Sequence, residues 1–293
     1  MCMTCGCSDT EEVMITDPAS GGARILTKEE HDRMHAEGHQ VHHHHGHFHE
    51  HTHEAPLAPA LTAAIHGTTI ALEQEILSKN QRMAERNRGW LSARRVLALN
   101  LVSSPGSGKT SLLERTIRDL KGRIAISVIE GDQETMNDAE RIRATGCKAV
   151  QINTGKGCHL EAEMVGEALA ALDAPTDSVV MIENVGNLVC PALFDLGERA
   201  KVVILSVTEG EDKPLKYPHM FRASTLMLIN KMDLLPYVSF DVEKCLDYAR
   251  QVNPNIQALC VSAMTGAGME DWCRWLDDAL HQPQVRALAA AVI

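Results

Sequence analysis

Ser103-Ser104-Pro105-Gly106-Ser107-Gly108-Lys109-Thr110-Ser111 decides how this chain is read. An apolar run, Val96 to Val102, precedes it, and a helical pattern from Ser111 to Lys121 follows. Strand, glycine loop and helix in that order are the context of a phosphate-binding loop. Small residues let backbone N–H groups turn inward around a phosphate chain, and the helix N-terminus adds partial positive charge. Lys109 reaches toward the β- and γ-phosphates, and the Thr110 hydroxyl is a candidate Mg²⁺ ligand. The pattern usually opens with Gly, and here Ser103 holds that position. The Gly108-Lys109-Thr110 core is intact, so the expectation is a variant loop made by Pro105, Gly106, Ser107, Gly108, Lys109, Thr110 and Ser111.

Working outward, apolar strand candidates fall at 96–102, 124–130, 148–153, 178–183, 201–207, 225–230 and 256–262. Helical patterns fall between them at 110–121, 134–145, 159–172, 241–251 and 268–281, and a further one at 61–88 leads in. Continuous apolar strands separated by amphipathic helices predict an α/β fold, a P-loop NTPase with a mainly parallel, doubly wound sheet. Ligands in such sheets bind at the carboxyl ends of the strands. The expected division is residues 1–60, a largely disordered Cys/His-rich metal-binding segment, and residues 61–293, the nucleotide-binding domain with its leading helix. Residues 8–30 read as polar without clear periodicity, and Ala55 to Ala60 as a linker. The apolar, alanine-rich tail Val285 to Ile293 has no place in this scheme.

Composition narrows the function. Hydrophobic residues make up 44% of the 293 but aromatics only 3%, so the core is aliphatic. A net charge of −11 argues against nucleic acid as partner. No apolar run is long enough to span a membrane, and the N-terminus has no secretory pattern, so the expected location is cytoplasmic. In that reducing compartment the nine cysteines are free thiols or metal ligands before they are disulfides.

Further strand ends extend the nucleotide site. Glu130-Gly131-Asp132 places an acidic side chain, Asp132, opposite the phosphate loop, where it can hold Mg²⁺ through water. Glu183-Asn184-Val185-Gly186 has the shape of the Asp-x-x-Gly element that senses a γ-phosphate, with Glu183 for Asp and Gly186 at its end. Asn230-Lys231-Met232-Asp233 follows the sixth of these strands. Asp233 can accept both hydrogen bonds from guanine N1–H and its exocyclic amine; adenine offers no such pair and would leave the carboxylate unpaired. At Ser262-Ala263, backbone N–H can meet guanine O6. Lys109, Asp132 and Glu183 are the catalytic candidates, GTP and GDP the ligands. No Gln or Arg is assignable for water activation, so slow intrinsic turnover is expected.

Three metal sites suggest themselves. Cys2, Cys5 and Cys7 can wrap one ion, thiolate plus terminal amine suiting Ni(II) and three thiolates suiting Zn(II) as well. His42, His43, His44, His45, His47, His49, His51 and His53 form the densest part of a run that reads as a weak nickel store. Cys158 and His159 lie in one strand-end loop and Cys190 in another, next to the Glu183 element. A metal bridging these loops would couple its geometry to the γ-phosphate sensor. Spacing alone equally allows two buried cysteines and a capping histidine. Cys147, Cys245, Cys260 and Cys273 read as core or neutral positions.

The combination resembles the HypB family, the nickel-inserting GTPases of nickel–iron hydrogenase maturation, over nearly all of the chain. It rests on Cys-x-x-Cys-x-Cys, the histidine run, Ser-Pro-Gly-Ser-Gly-Lys-Thr, Glu-Gly-Asp, Gly-Lys-Gly-Cys-His, Glu-Asn-Val-Gly-Asn-Leu-Val-Cys-Pro and Asn-Lys-x-Asp. Ser103 and Glu183 fit this family. The resemblance implies a tight nickel site at Cys2, Cys5 and Cys7, and a zinc or nickel site at Cys158, His159 and Cys190 in a homodimer interface. It also implies work with the metallochaperone HypA and the hydrogenase large-subunit precursor. Two other classes remain open: a urease-type nickel-insertion GTPase, against which the Cys-rich start and the Cys158-His159/Cys190 set speak, and a nickel store or buffer with a regulatory G domain.

Overall fold

In a computed structural model, the described residues are 12–16, 23–27, 59–132, 137–155 and 157–282. Cys2, Cys5, Cys7, the histidine run and the apolar tail lie outside them, as do Gln133 to Thr135 and Lys156. The chain divides into two units, Met1–Ile70 and Ala71–Ile293.

In the first unit, β1 (Glu12–Thr16) and β2 (Ala23–Thr27) pair antiparallel, Glu12 opposite Thr27 and Thr16 opposite Ala23. This corrects the expectation of no periodicity over residues 8–30. Glu-Val-Met-Ile-Thr and Ala-Arg-Ile-Leu-Thr are β-rich pentamers, too short to stand out within the surrounding polar sequence. Helix α1 (Pro59–Ala93) begins inside the expected linker, with a proline at its start, where a missing N–H costs nothing.

The second unit alternates strand and helix as the sequence predicts: β3 (Leu97–Ser103), α2 (Lys109–Asp119), β4 (Ile126–Asp132), α3 (Asn137–Ala144), β5 (Lys148–Asn153), α4 (Ala162–Leu172), β6 (Val179–Glu183) and β7 (Ala200–Ser206). Two short helices, α5 (Lys213–Lys216) and α6 (Pro218–Ala223), follow, then β8 (Leu226–Asn230), α7 (Val242–Val252), β9 (Gln257–Cys260) and α8 (Met269–His281). Each of the seven expected strands is present. The short helices, and the 3₁₀ turns Cys190–Ala192 and Met232–Tyr237, are too brief to show a helical period.

The sheet order is β5-β4-β6-β3-β7-β8-β9, every neighbouring pair parallel. Connections run to one side of β3 and then to the other, so β3 is the topological switch and the loop after it opens into the sheet's binding crevice. Leu97, Leu99 and Leu101 of β3 pack under α2 and α8 with Leu112, Leu113 and Trp272. Ala98 faces the other side, toward the end of α1 and toward α4, with Leu91, Val165 and Leu169. Val102 meets a third cluster around Phe221 and Ala249. Burying both faces of β3 explains why its run is continuously apolar. Asn100 is its one interior amide, fully buried and bonded to Glu198 and Asn184.

Candidate nucleotide and metal site

The loop between β3 and α2 turns on two left-handed glycines, Gly106 (φ 76°) and Gly108 (φ 92°). A Cβ on Gly108 would stand 2.7 Å from Asn230 Nδ2, so both backbone and space demand glycine there. Lys109 is buried and donates to Ser103 Oγ at 2.8 Å, while Ser103 Oγ donates to Ser104 O. The serine in the usual glycine position thus gives the lysine a resting partner. Burial pulls Lys109 below the usual lysine pKa, with the Glu183 carboxylate opposing. Ser107 Oγ is buried without a hydrogen-bond partner among the described residues. The loop faces an open cavity of about 550 Å³.

Carboxylates crowd the far wall. Glu130 of β4 and Glu183 of β6 are register partners on adjacent strands. Asp132 and Asp138 line the same cavity. Burial, then the neighbouring carboxylates, pushes the Glu130 carboxyl up to about 8. Burial pushes Glu183 up to about 7, Lys109 opposing. Thr110 Oγ1 donates to Glu183 Oε1 at 2.8 Å, yet Glu183 Oε2 and Glu130 Oε2 are buried without hydrogen-bond partners among the described residues. Orphaned buried carboxylate oxygens beside a threonine hydroxyl are a donor set for a hard divalent cation, so the residues present fit Mg²⁺. Arg141 of α3 lines the cavity, bound to Glu114 and Asp138, and its Nη2 is 3.4 Å from Ser111 Oγ. Sequence reasoning missed Arg141 and Asp138, because a charged helix face carries no pattern that separates a site residue from a solvated one.

The Asn-Lys-x-Asp segment closes onto the loop. Asn230 Nδ2 donates to Ser107 O at 3.0 Å, and Lys231 Nζ to Gly106 O at 2.6 Å. Asn230 Oδ1 accepts from Ala263 N at 3.3 Å. Ser262 Oγ donates to Asp233 Oδ1 at 2.5 Å. One asparagine thus spans the phosphate loop and the Ser262-Ala263 loop, and Asp233 stands beside the latter. On the opposite side, a Cβ on Gly186 would meet Pro105 at 3.1 Å, so the Glu183 loop closes directly on the phosphate loop.

Cys158, His159 and Cys190 come together, their ligating atoms all within 4.8 Å of one another. Cys158 Sγ is 3.1 Å from Cys190 Sγ and 3.6 Å from His159 Nδ1. The His159 ring packs on Phe194, centroids 4.0 Å apart. Burial lowers its pKa, favouring the neutral, ligating imidazole. Its Nε2 has no hydrogen-bond partner among the described residues, and Glu161 Oε1 is 3.9 Å away. Two sulfurs and a neutral imidazole fit zinc or nickel. Two hydrogen bonds tie this set to the loop after β6: Leu160 N donates to Asn184 Oδ1 at 3.3 Å, and Asn187 Nδ2 to Cys158 O at 3.3 Å. Among the described residues, the other cysteines join no such set. Cys245 and Cys273 are buried, Cys147 is half-buried and Cys260 exposed. Burial raises the Cys245 thiol to about 12 and Cys147 to about 11.

Residues 97–259 match the family model described as CobW/HypB/UreG, nucleotide-binding domain. The hydrogenase maturation factor HypB of Escherichia coli (strain K12) is 61% identical over 208 residues, covering 71% of this chain and 72% of the relative. The chain belongs to the HypB family. HypB of Cupriavidus necator is 47% identical and covers 94% of this chain and 88% of its own length. Among solved structures, HypB from Helicobacter pylori in complex with nickel is 35% identical with a TM-score of 0.66, covering 71% of this chain and 99% of that one. This HypB chain therefore carries a nucleotide-binding α/β domain and is a hydrogenase maturation factor by family. Among its described residues no helix is long and apolar enough to cross a membrane.

Proposed function

We propose that the chain is a GTP-hydrolysing nickel metallochaperone that delivers Ni(II) to the hydrogenase large-subunit precursor. Pro105 to Ser111 bind the phosphates, and Asn230, Lys231, Asp233, Ser262 and Ala263 select guanine. Thr110 and Asp132 hold Mg²⁺, which neutralises charge developing on the phosphates. Lys109 leaves Ser103 for the β- and γ-phosphates, and Glu183 heads the loop that senses the γ-phosphate. Nickel is cargo. Cys2, Cys5 and Cys7 hold it tightly, the histidine run stores it, and Cys158, His159 and Cys190 take zinc or nickel in a cytoplasmic homodimer. HypA belongs to the same delivery route.

The observation that carries this reading is the pair of hydrogen bonds from the Cys158-His159 loop to Asn184 and Asn187. Those two residues flank Gly186, which packs on Pro105 of the phosphate loop. A shift of Gly186 toward a γ-phosphate moves Asn184 and Asn187 with it, and with them the loop holding two of the three ligands. Nucleotide state and metal geometry are then linked in both directions. The test compares metal affinity and oligomeric state in GTP-analogue and GDP forms. A change in both is expected, and no change in either overturns the proposal. Deleting residues 31–53 is expected to abolish hydrogenase activity only at low nickel, as a store requires; loss in excess nickel would refute storage as that segment's role.

A further inference from the structure

Helix α1 has two buried asparagines on the face toward the sheet, Asn80 and Asn87. Asn80 Oδ1 accepts from Ala162 N at 2.8 Å, and its Nδ2 donates to Asp195 O at 2.7 Å. Asn87 Nδ2 donates to Ala162 O at 2.7 Å and to Leu196 O at 3.0 Å. Each side chain therefore bridges the same two backbone segments, the start of α4 and the stretch Asp195-Leu196.

Both segments continue directly from the candidate metal ligands. Ala162 follows His159 by a single turn of chain, and Asp195 comes shortly after the 3₁₀ turn that begins at Cys190. The two stretches also touch where His159 packs on Phe194. The approach of α1 is close on both sides. A Cβ on Gly166 would stand 2.7 Å from Asn87 Oδ1, and one on Gly197 would stand 2.6 Å from Ala84 O and 2.7 Å from Asn87 Cβ. Gly197 is also left-handed, φ 91°. Neither segment is in a strand, so the sheet ladder does not fix their separation. Four amide hydrogen bonds from one rigid helix do.

We infer that Asn80 and Asn87 are positioning residues for the metal centre, and that α1 is a clasp holding the Cys158-His159 loop and the Cys190 loop at ligating distance. This rests on reading Cys158, His159 and Cys190 as a metal site. A ligand set gathered from two loops binds tightly only while the loops stay in register, and groups that orient ligands from outside the coordination sphere change affinity by about 10- to 100-fold. The clasp sets metal affinity without touching the ion.

The test uses the full chain with Cys2, Cys5 and Cys7 replaced by Ala, titrated with Ni(II) and followed by thiolate-to-nickel charge-transfer absorbance. The histidine run gives no such band and competes equally in every variant. Asn87→Ala removes two bridging bonds. Asn80→Asp keeps the acceptor for Ala162 N but sets a buried carboxylate oxygen against Asp195 O, the harsher break. Trp272→Phe is the control for general loosening: its Nε1–H joins α8 to Thr116 of α2, on the face of the sheet opposite α1. Cys158→Ala with Cys190→Ala removes both sulfurs and reports the site itself. The expected result is loss of the band in the Cys158→Ala/Cys190→Ala double variant, a midpoint raised about tenfold or more in Asn87→Ala and Asn80→Asp, and the parent midpoint in Trp272→Phe, with unchanged far-ultraviolet circular dichroism. Parent-like midpoints in both asparagine variants, or an equal rise in Trp272→Phe, would overturn the clasp while leaving the metal centre standing. A band that survives in the Cys158→Ala/Cys190→Ala double variant would overturn the metal centre and the clasp with it.

Discussion

Single residues divide between those that bind and those kept under electrostatic strain until something binds. On the proposed reading, Asp233 is of the first kind. Asn at 233 keeps one acceptor and exchanges the other for an N–H donor facing guanine's own donors. Asp233→Asn is expected to weaken GDP binding by at least about 10²-fold, with xanthine nucleotides losing less, as fluorescence titration would read. Glu130 is of the second kind. Its folded pKa of about 8 lies above the ordinary 4.5, so the folded chain keeps a proton that the unfolded chain has released. The contribution of Glu130 to the stability of the nucleotide-free chain therefore falls as pH rises from 4.5 to 8, and is constant beyond. Glu130→Gln removes that slope. Denaturant melts of the two chains should nearly coincide at pH 5 and separate by pH 9, the Gln variant being more stable. Its Mg²⁺-dependent nucleotide binding should be weaker.

At the scale of elements, α2 and α8 illustrate how a helix that presents a loop is itself held. Trp272 of α8 is fully buried and donates Nε1–H to Thr116 Oγ1 of α2 at 2.9 Å, and Thr116 in turn donates to Leu112 O. Trp272→Phe keeps an aromatic ring but leaves the Thr116 oxygen one donor short and a small void. A loss of about 2–4 kcal/mol in unfolding free energy is expected from urea melts. GDP affinity should change little, because the loop's own constraints come from Asn230 and Lys231 rather than from α8.

Across the nucleotide-binding unit, the sheet joins the nucleotide loops to the metal loops through its interior. Asn184 bonds Asn100 in the middle of β3, Asn100 bonds Glu198, and Glu198 accepts from the N–H of Leu196, whose carbonyl accepts from Asn87 of α1. A buried polar chain of this kind is costly unless satisfied, so it favours one arrangement of loops over many. The crowded, buried carboxylates of the cleft, Glu130 and Glu183, are costly to ionise. Mg²⁺ with GDP at 100 times its dissociation constant should add about 2.7 kcal/mol of stability, read as a rise in melting temperature. Adding EDTA should abolish most of that rise if Thr110 and Asp132 hold the ion.

How much was legible follows from how local each feature is. The strands, the long helices, the glycine loop and Asn-Lys-x-Asp are carried by neighbouring residues, so period, spacing and turn chemistry made them readable. The order of Leu97 to Val102 alone announces a strand buried on both faces. The β1–β2 ribbon escaped because two pentamers are too short for a period to emerge. Ser103 announced itself only as a departure; its bond to Lys109 needed the folded loop. Cys158 and Cys190 are 32 positions apart, and spacing could not choose between ligands and core thiols. Only the parallel order of β5, β4 and β6 brings their loops to the same edge of the sheet. Asn80 and Asn87 had no signal at all, since an asparagine in a helix is unremarkable until one sees what its amide bridges. Sequence by itself determined what is written within a few residues of the chain, because propensity, periodicity and motif chemistry act over that range. Tertiary structure alone decided which distant loops share a site and which helix holds them together, because those are set by strand order and by contacts between residues far apart in the chain.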